Sequence, residues 1–283
     1  MKVGVMVESF RAGLDGGLQA AAEVGADGVQ IYATHGEMLP ANLDSRSRAA
    51  LRRRIADMGL EIAALCGDFG GHGFQIADEN PKRIDDSQRV MDLALDLGTE
   101  VITTHIGVVP ADASHPRYGV MARACEELGR YGESMGATFA IETGPEPAAV
   151  LRALLDDIGI PKGMGVNFDP ANLVMVVNED IPAAVDALGP YIVHTHAKDG
   201  VHLKPVDAEV LYGSFVEPVE GYHFADYIRE VPLGEGGVPF EAYLAALGKI
   251  GFDGYLTIER EVGADPRKDI EQAVKFLRNL LAA

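Results

Sequence analysis

Eight short apolar runs recur along the chain, and each is followed by a stretch with helical periodicity. The predicted strands are Val3–Val7, Gly28–Tyr32, Leu60–Cys66, Glu100–His105, Ala137–Glu142, Met164–Asp169, Tyr191–His196 and Gly254–Glu259. The helical stretches begin with an Ala-rich one over 16–24 and an Arg-rich one over 44–58, with Asp44 as its N-cap. The others cover 80–97, where Asn80 is read as the cap and Pro81 as the first position, then 118–135, 146–157, 181–188, 240–250 and 266–280. Strand and helix in strict alternation require a parallel sheet with right-handed crossovers. Eight such units in 283 residues, with no change of composition between halves, predict a single α/β domain over 1–283, a (β/α)8 TIM barrel. A doubly wound sheet is the alternative. It is weakened by the segment after the first strand, ESFRAGLDGG, which lacks the G-x-G-x-x-G spacing of a dinucleotide turn. One connection stands out for length. Residues from about 200 to 238 are rich in Gly, Pro and acids, and read as an irregular insertion after the seventh strand, a lid or binding loop.

Charge narrows the partners. Lys and Arg number 24 against 43 Asp and Glu, a net charge of −19 that repels phosphate backbones and anionic membranes. Nucleic acid and membrane are therefore excluded as expected partners. Cys66 and Cys125 are far apart, sit in apolar context and read as reduced thiols. No secretory apolar region opens the sequence and no apolar run approaches the roughly 20 residues of a membrane span, so the expectation is a cytoplasmic protein.

In a barrel of this kind the chemistry lies at the C-terminal ends of the strands. Those ends read Glu8, Tyr32, Cys66, His105, Glu142, Asp169, His196 and Glu259, nearly all of them titratable. A single carboxylate at such a place is usually a helix cap or a turn residue, and Asp169 before Pro170 fits that description by itself. Three together are another matter, because Glu142, Asp169 and Glu259 could not all stay ionised side by side without a cation. Two glutamates, one aspartate and one histidine make a ligand set suited to one divalent ion, with Mn2+ the first choice and Mg2+, Co2+ or Zn2+ as alternatives. The segment YIVHTHAKDG supplies the histidine. Its two histidines share one face of a strand, His196 at the rim with the carboxylates and His194 one inward position deeper.

The segments FAIETGPE, VNFDPANL, VHTHAKDG and YLTIERE, with PLGEGGVPF before the last strand, resemble the sugar phosphate isomerase/epimerase superfamily and its xylose isomerase-like barrel. Among its members it resembles ketose 3-epimerases and inosose dehydratase-like enzymes. The resemblance implies that Glu142, Asp169, His196 and Glu259 bind one divalent metal, and that Glu142 and Glu259 also exchange the substrate proton. It implies a sugar or polyol substrate, deprotonated next to a carbonyl to give an enediolate, and a homo-oligomer of two or four copies. Two positions depart from the epimerase pattern. Asn172 stands where those enzymes carry a histidine, and His202 where they carry an arginine, both on substrate oxygens. Further expected substrate contacts are His105, Lys198 (free to meet an oxyanion, or paired with Asp199 or Glu142), His72 in its glycine-rich loop, and the strand ends Glu8 and Cys66. The leading expectation is an isomerase or epimerase. The alternatives are a lyase on the same scaffold, inosose dehydratase-like or carbon-glycoside-cleaving, then a barrel that binds sugars without turning them over, and an apurinic endonuclease-like nuclease.

Overall fold

The computed structural model describes residues 1–282 and closes eight parallel strands into a barrel. They are β1 (Lys2–Met6), β2 (Gly28–Tyr32), β3 (Glu61–Cys66), β4 (Val101–Thr104), β5 (Thr138–Glu142), β6 (Met164–Phe168), β7 (Ile192–Ala197) and β10 (Tyr255–Ile258). The ring closes between β1 and β10, in the register Val3 to Leu256 and Val5 to Ile258. The helices pack around it: α1 (Gly13–Glu23), α2 (Ser45–Asp57), α3 (Asn80–Leu97), α4 (Pro116–Met135), α5 (Ala148–Ile158), α7 (Ile181–Leu188), α9 (Phe240–Lys249) and α10 (Pro266–Ala282). All eight predicted strand–helix units are present.

Most of the apolar core lies between barrel and helices. Leu18, Ile31, Leu65, Leu93 and Ile102 are fully buried there. Each such side chain stabilises the fold by about 1.5–3 kcal/mol relative to exposure. Helix starts follow local chemistry. Asp44 accepts a hydrogen bond from Ser47 N at 2.7 Å, as its position implies. Asn80 does not cap α3: its amide donates instead to Phe74 O at 3.1 Å, inside the preceding loop. The short α6 (Pro170–Asn172) and a single π turn (Leu173–Val177) sit directly after β6, where Asp169 caps the turn.

The long insertion is more ordered than its composition implies. It opens with β8 (Asp199–His202), continues through α8 (Ala208–Ser214) and returns as β9 (Ile228–Val231), antiparallel to β8 in the register Asp199 to Val231 and His202 to Ile228. The ribbon is anchored at its base by Asp199. Its carboxylate accepts from the backbone N–H of Gly200, Gly234, Gly236 and Val238, at 2.9, 2.9, 2.9 and 3.1 Å. The loop wraps so tightly that a Cβ on Gly236 would lie 2.1 Å from Asp199 Oδ1, which explains the glycine there. Among the described residues no helix is long and apolar enough to cross a membrane.

Candidate metal centre

Strands β10, β7, β6 and β5 are consecutive around the barrel, and each delivers one acid or imidazole to the same point at its C-terminal end. Nδ1 of His196 lies 3.3 Å from Asp169 Oδ2, 3.4 Å from Glu259 Oε2 and 3.5 Å from Glu142 Oε1. One ligand atom from each of the four falls within 4.8 Å of all the others, and all four residues are buried. Three carboxylates packed around one ring nitrogen repel each other strongly unless a cation joins them. The donor set therefore fits a single divalent ion, oxygen-rich with one nitrogen. The electrostatics of the residues themselves show the same demand. Burial disfavours a charged His196, yet Glu142 and Glu259 outweigh it and carry its pKa well above the ordinary value.

Buried polar partners fix each ligand. Asp169 divides its oxygens: Oδ1 accepts from Asn172 N at 2.9 Å as a helix cap, while Oδ2 faces His196. The capping role and the ligand role are thus compatible. Thr143 locks its backbone, with Asp169 N donating to Thr143 Oγ1 at 2.8 Å and that hydroxyl donating back to Asp169 O at 3.0 Å. Glu142 accepts from Asn172 Nδ2 at Oε1 and from Asn167 Nδ2 at Oε2, both at 3.1 Å. Gly144, at φ +144°, lets this happen, since a Cβ there would lie 2.4 Å from that of Asn172.

Beneath the ligands lies a polar layer inside the barrel. Gln30 Oε1 is 3.1 Å from His196 Nε2 and 2.9 Å from His194 Nε2, while Gln30 Nε2 donates to Thr103 Oγ1 at 2.9 Å. A carbonyl oxygen can only accept, so Gln30 favours a proton on His196 Nε2 and leaves Nδ1 as the nitrogen that faces the carboxylates. Thr257 Oγ1 completes the layer, 3.0 Å from His194 Nε2. His194 is kept neutral by burial and by the neighbouring His196, its pKa lowered to about 3.

Above the ligands opens a cavity of about 870 Å³. Of the four ligands, only Glu142 and Glu259 reach its wall; Asp169 and His196 are sealed below. A cationic side chain stands beside each glutamate. Lys198 Nζ donates to Glu259 Oε2 at 2.9 Å and also pairs with Glu261. Burial opposes its charge, but Glu259 and Glu261 raise its pKa well above the usual range. Glu259 is shifted the other way: burial works against ionisation, but Lys198 and His196 hold it below the usual carboxylate range. His105 Nε2 lies 3.5 Å from Glu142 Oε1, and its Nδ1 is 3.0 Å from Asp68 Oδ2. Against the effect of burial, Glu142 and Asp68 push the His105 pKa up to about 10.

His72, His105, Asn172 and Lys198 line the cavity with the two glutamates. Three expected substrate contacts do not. Glu8 lies in a 3-10 turn beyond β1, with Oε1 taken by Tyr32 N at 3.1 Å. Cys66 is buried in the wall of the barrel, its thiol pKa raised by burial. His202 turns its Nδ1 to Met175 O, 2.7 Å away, because the ribbon carries it off the cavity wall. Lys198 pairs with Glu259 and Glu261, not with Asp199 or Glu142. Sequence reasoning missed Gln30, Asp68, Tyr212 and Glu146. Gln30 was within reach, two positions before Tyr32 on the same face of a mostly apolar strand. Glu146 is a buried acid that accepts from Val109 N at 3.1 Å, with burial raising its pKa to about 8. Nothing local marks it.

The family model described as a xylose isomerase-like TIM barrel matches residues 18–280. The chain belongs to that family. Among curated proteins none matches its sequence. Solved structures do. A xylose isomerase domain protein from Planctomyces limnophilus is 27% identical with a TM-score of 0.78, over 98% of this chain and 95% of that one. The probable 3-DHS dehydratase of petrobactin synthesis from Bacillus anthracis is 20% identical with a TM-score of 0.76, over 99% of both chains. A D-psicose 3-epimerase from Clostridium cellulolyticum H10, solved with D-tagatose, is 16% identical with a TM-score of 0.74, over 99% of both. The family barrel thus has both epimerases and a dehydratase among its structural neighbours.

Proposed function

We propose that this member of the family is a divalent-metal-dependent isomerase or epimerase that moves a proton at a carbon next to the carbonyl of a sugar-like polyol. Glu142, Asp169, His196 and Glu259 would hold the ion, with Mn2+ the ion we propose for this oxygen-rich set. When bound, it supplies Lewis-acid polarisation of the substrate carbonyl, which acidifies the adjacent C–H. The observation that carries the reading is the unequal depth of the ligands: the two glutamates face the cavity, while Asp169 and His196 are out of a substrate's reach. Two carboxylates at one cavity floor can serve as base and conjugate acid, one taking the proton and the other returning it. Return to the opposite face of the same carbon epimerises; return to the neighbouring carbon isomerises. Lys198 beside Glu259 and His105 beside Glu142 keep each carboxylate oriented.

A lyase is the second reading, and His105 favours it. A protonated imidazole on the cavity wall, held by Asp68, is a ready acid for a departing oxygen. The test is the Mn2+-loaded protein with a panel of ketoses, inososes and 3-keto-glycosides in D2O. Deuterium is expected at a carbon next to the carbonyl, and Glu142→Gln and Glu259→Gln are each expected to slow its entry by about 10²–10⁴-fold. Near wild-type exchange in either variant with metal bound would remove that residue from proton transfer. A product lighter by water or by an aglycone would decide for the lyase.

A further inference from the structure

We propose that the substrate has two parts, a polyhydroxylated carbonyl compound over the metal ligands and a flat apolar substituent, such as an aryl aglycone, held against an aromatic wall supplied by the insertion. The inference rests on the function proposed above for its polar end and adds the chemistry of the other. An aromatic file climbs from the floor to the mouth of the cavity. The His105 and Tyr212 ring centres are 6.2 Å apart, Tyr212 and Phe215 meet edge-on at 6.0 Å, and Phe215 and Phe224 lie at 5.7 Å. All four side chains line the same cavity as Glu142 and Glu259.

At its outer end the file is left to water. Phe215 is 59% exposed and Phe224 46%. Large apolar side chains grouped in this way around a concave opening mark a surface that something covers, and aromatic rings are best covered by another flat ring packed on a face or edge. The cavity, at about 870 Å³, lies near the top of the range of roughly 300–1,000 Å³ for drug-sized ligands and offers more room than a free monosaccharide fills. An anionic substituent fits the outer end poorly. Glu209, Glu230 and Glu261 share the wall, Arg117 is paired with Glu209, and Lys198 with Glu259 and Glu261, which leaves only Arg229 to meet it among the described residues of the wall.

The test measures binding and needs no turnover. The Mn2+-loaded protein is titrated calorimetrically with methyl and phenyl 3-keto-β-D-glucosides, which share the ketone and its hydroxyl neighbours and differ in the substituent, and with D-fructose 6-phosphate. Deuterium entry into each is followed in parallel. The phenyl ketone is expected to bind at least tenfold more tightly than the methyl ketone. Phe215→Ser/Phe224→Ser is expected to bind the two alike while retaining one metal per chain. Equal binding of both ketones by the wild type, with deuterium entering both, would overturn the aryl subsite and leave the proton-transfer reading standing. Tightest binding of the phosphate ester would overturn it in favour of an anion site. Equal binding with a fall in assembly mass on the double substitution would assign the phenylalanines to a second copy of this chain. Absence of both binding and exchange would overturn the functional reading and the subsite with it.

Discussion

His196 shows how much one side chain depends on its neighbours. One ring nitrogen faces three carboxylates, and the other lies 3.1 Å from the Gln30 carbonyl oxygen and 3.2 Å from the Asn167 amide nitrogen. Gln30→Leu removes that acceptor and leaves two buried N–H groups without it. Outer partners of this kind are worth about 10–100-fold in metal affinity, and a loss in that range is expected for Mn2+ binding by calorimetry. An unchanged Kd would mean that Gln30 only fills space. The cluster of Glu142, Asp169, His196 and Glu259 was legible in the sequence because a parallel barrel puts strand ends on one rim, where three acids call for a common cation. The supports were less so. Gln30 lies on β2, 166 residues from His196 in sequence, and Asp68 reaches His105 across 37 residues. His202 and Glu8 were misplaced for a shared reason: position near a strand end fixes neighbourhood, but the turn that follows decides which way a side chain faces.

Among the elements, the barrel strands and their helices were readable from periodicity, glycine stops and caps. The ribbon of β8 and β9 was not. Its strands are four residues each and pair across a gap that contains α8 and a 3-10 turn, so no local pattern announces them. One carboxylate ties together the two ends of the insertion, while Glu230, paired with Arg260 and accepting from Glu261 N, joins the ribbon to the end of β10. Asp199→Ala strands four backbone N–H groups, and a hydrogen bond to a charged group contributes about 1.5–3 kcal/mol, with partial replacement by water. The expected outcome is faster amide hydrogen exchange confined to residues 199–202 and 228–238, with β5, β6 and β7 still protected. If protection in the ribbon survives the substitution, the anchor lies elsewhere.

For the molecule as a whole, the proposed cation would be part of the fold as well as of the chemistry. Without it, three carboxylates share a buried site with Lys198, His105 and a protonated His196 as the positive groups beside them. Ligand binding to the folded state alone adds about 2.7 kcal/mol at one hundred times Kd. In a chain of this size that corresponds to a shift in Tm of about 4–5 °C. Chelation is therefore expected to lower Tm by that amount, and re-addition of Mn2+ to restore it. A Tm indifferent to both would show that no ion binds the four residues. The charge of −19 makes the same point from outside, since it draws cations toward every acidic opening while keeping polyanions away.

The anchor at Asp199 separates two inheritances. Everything that would hold the ion grows from barrel strands and the turns directly after them, whereas Tyr212, Phe215 and Phe224 come from one excursion of the chain whose two ends are drawn together by Asp199. An excursion whose ends lie close together can be lengthened, shortened or exchanged while the strand ends keep their register. A lineage built this way can try new substrates without touching its reaction.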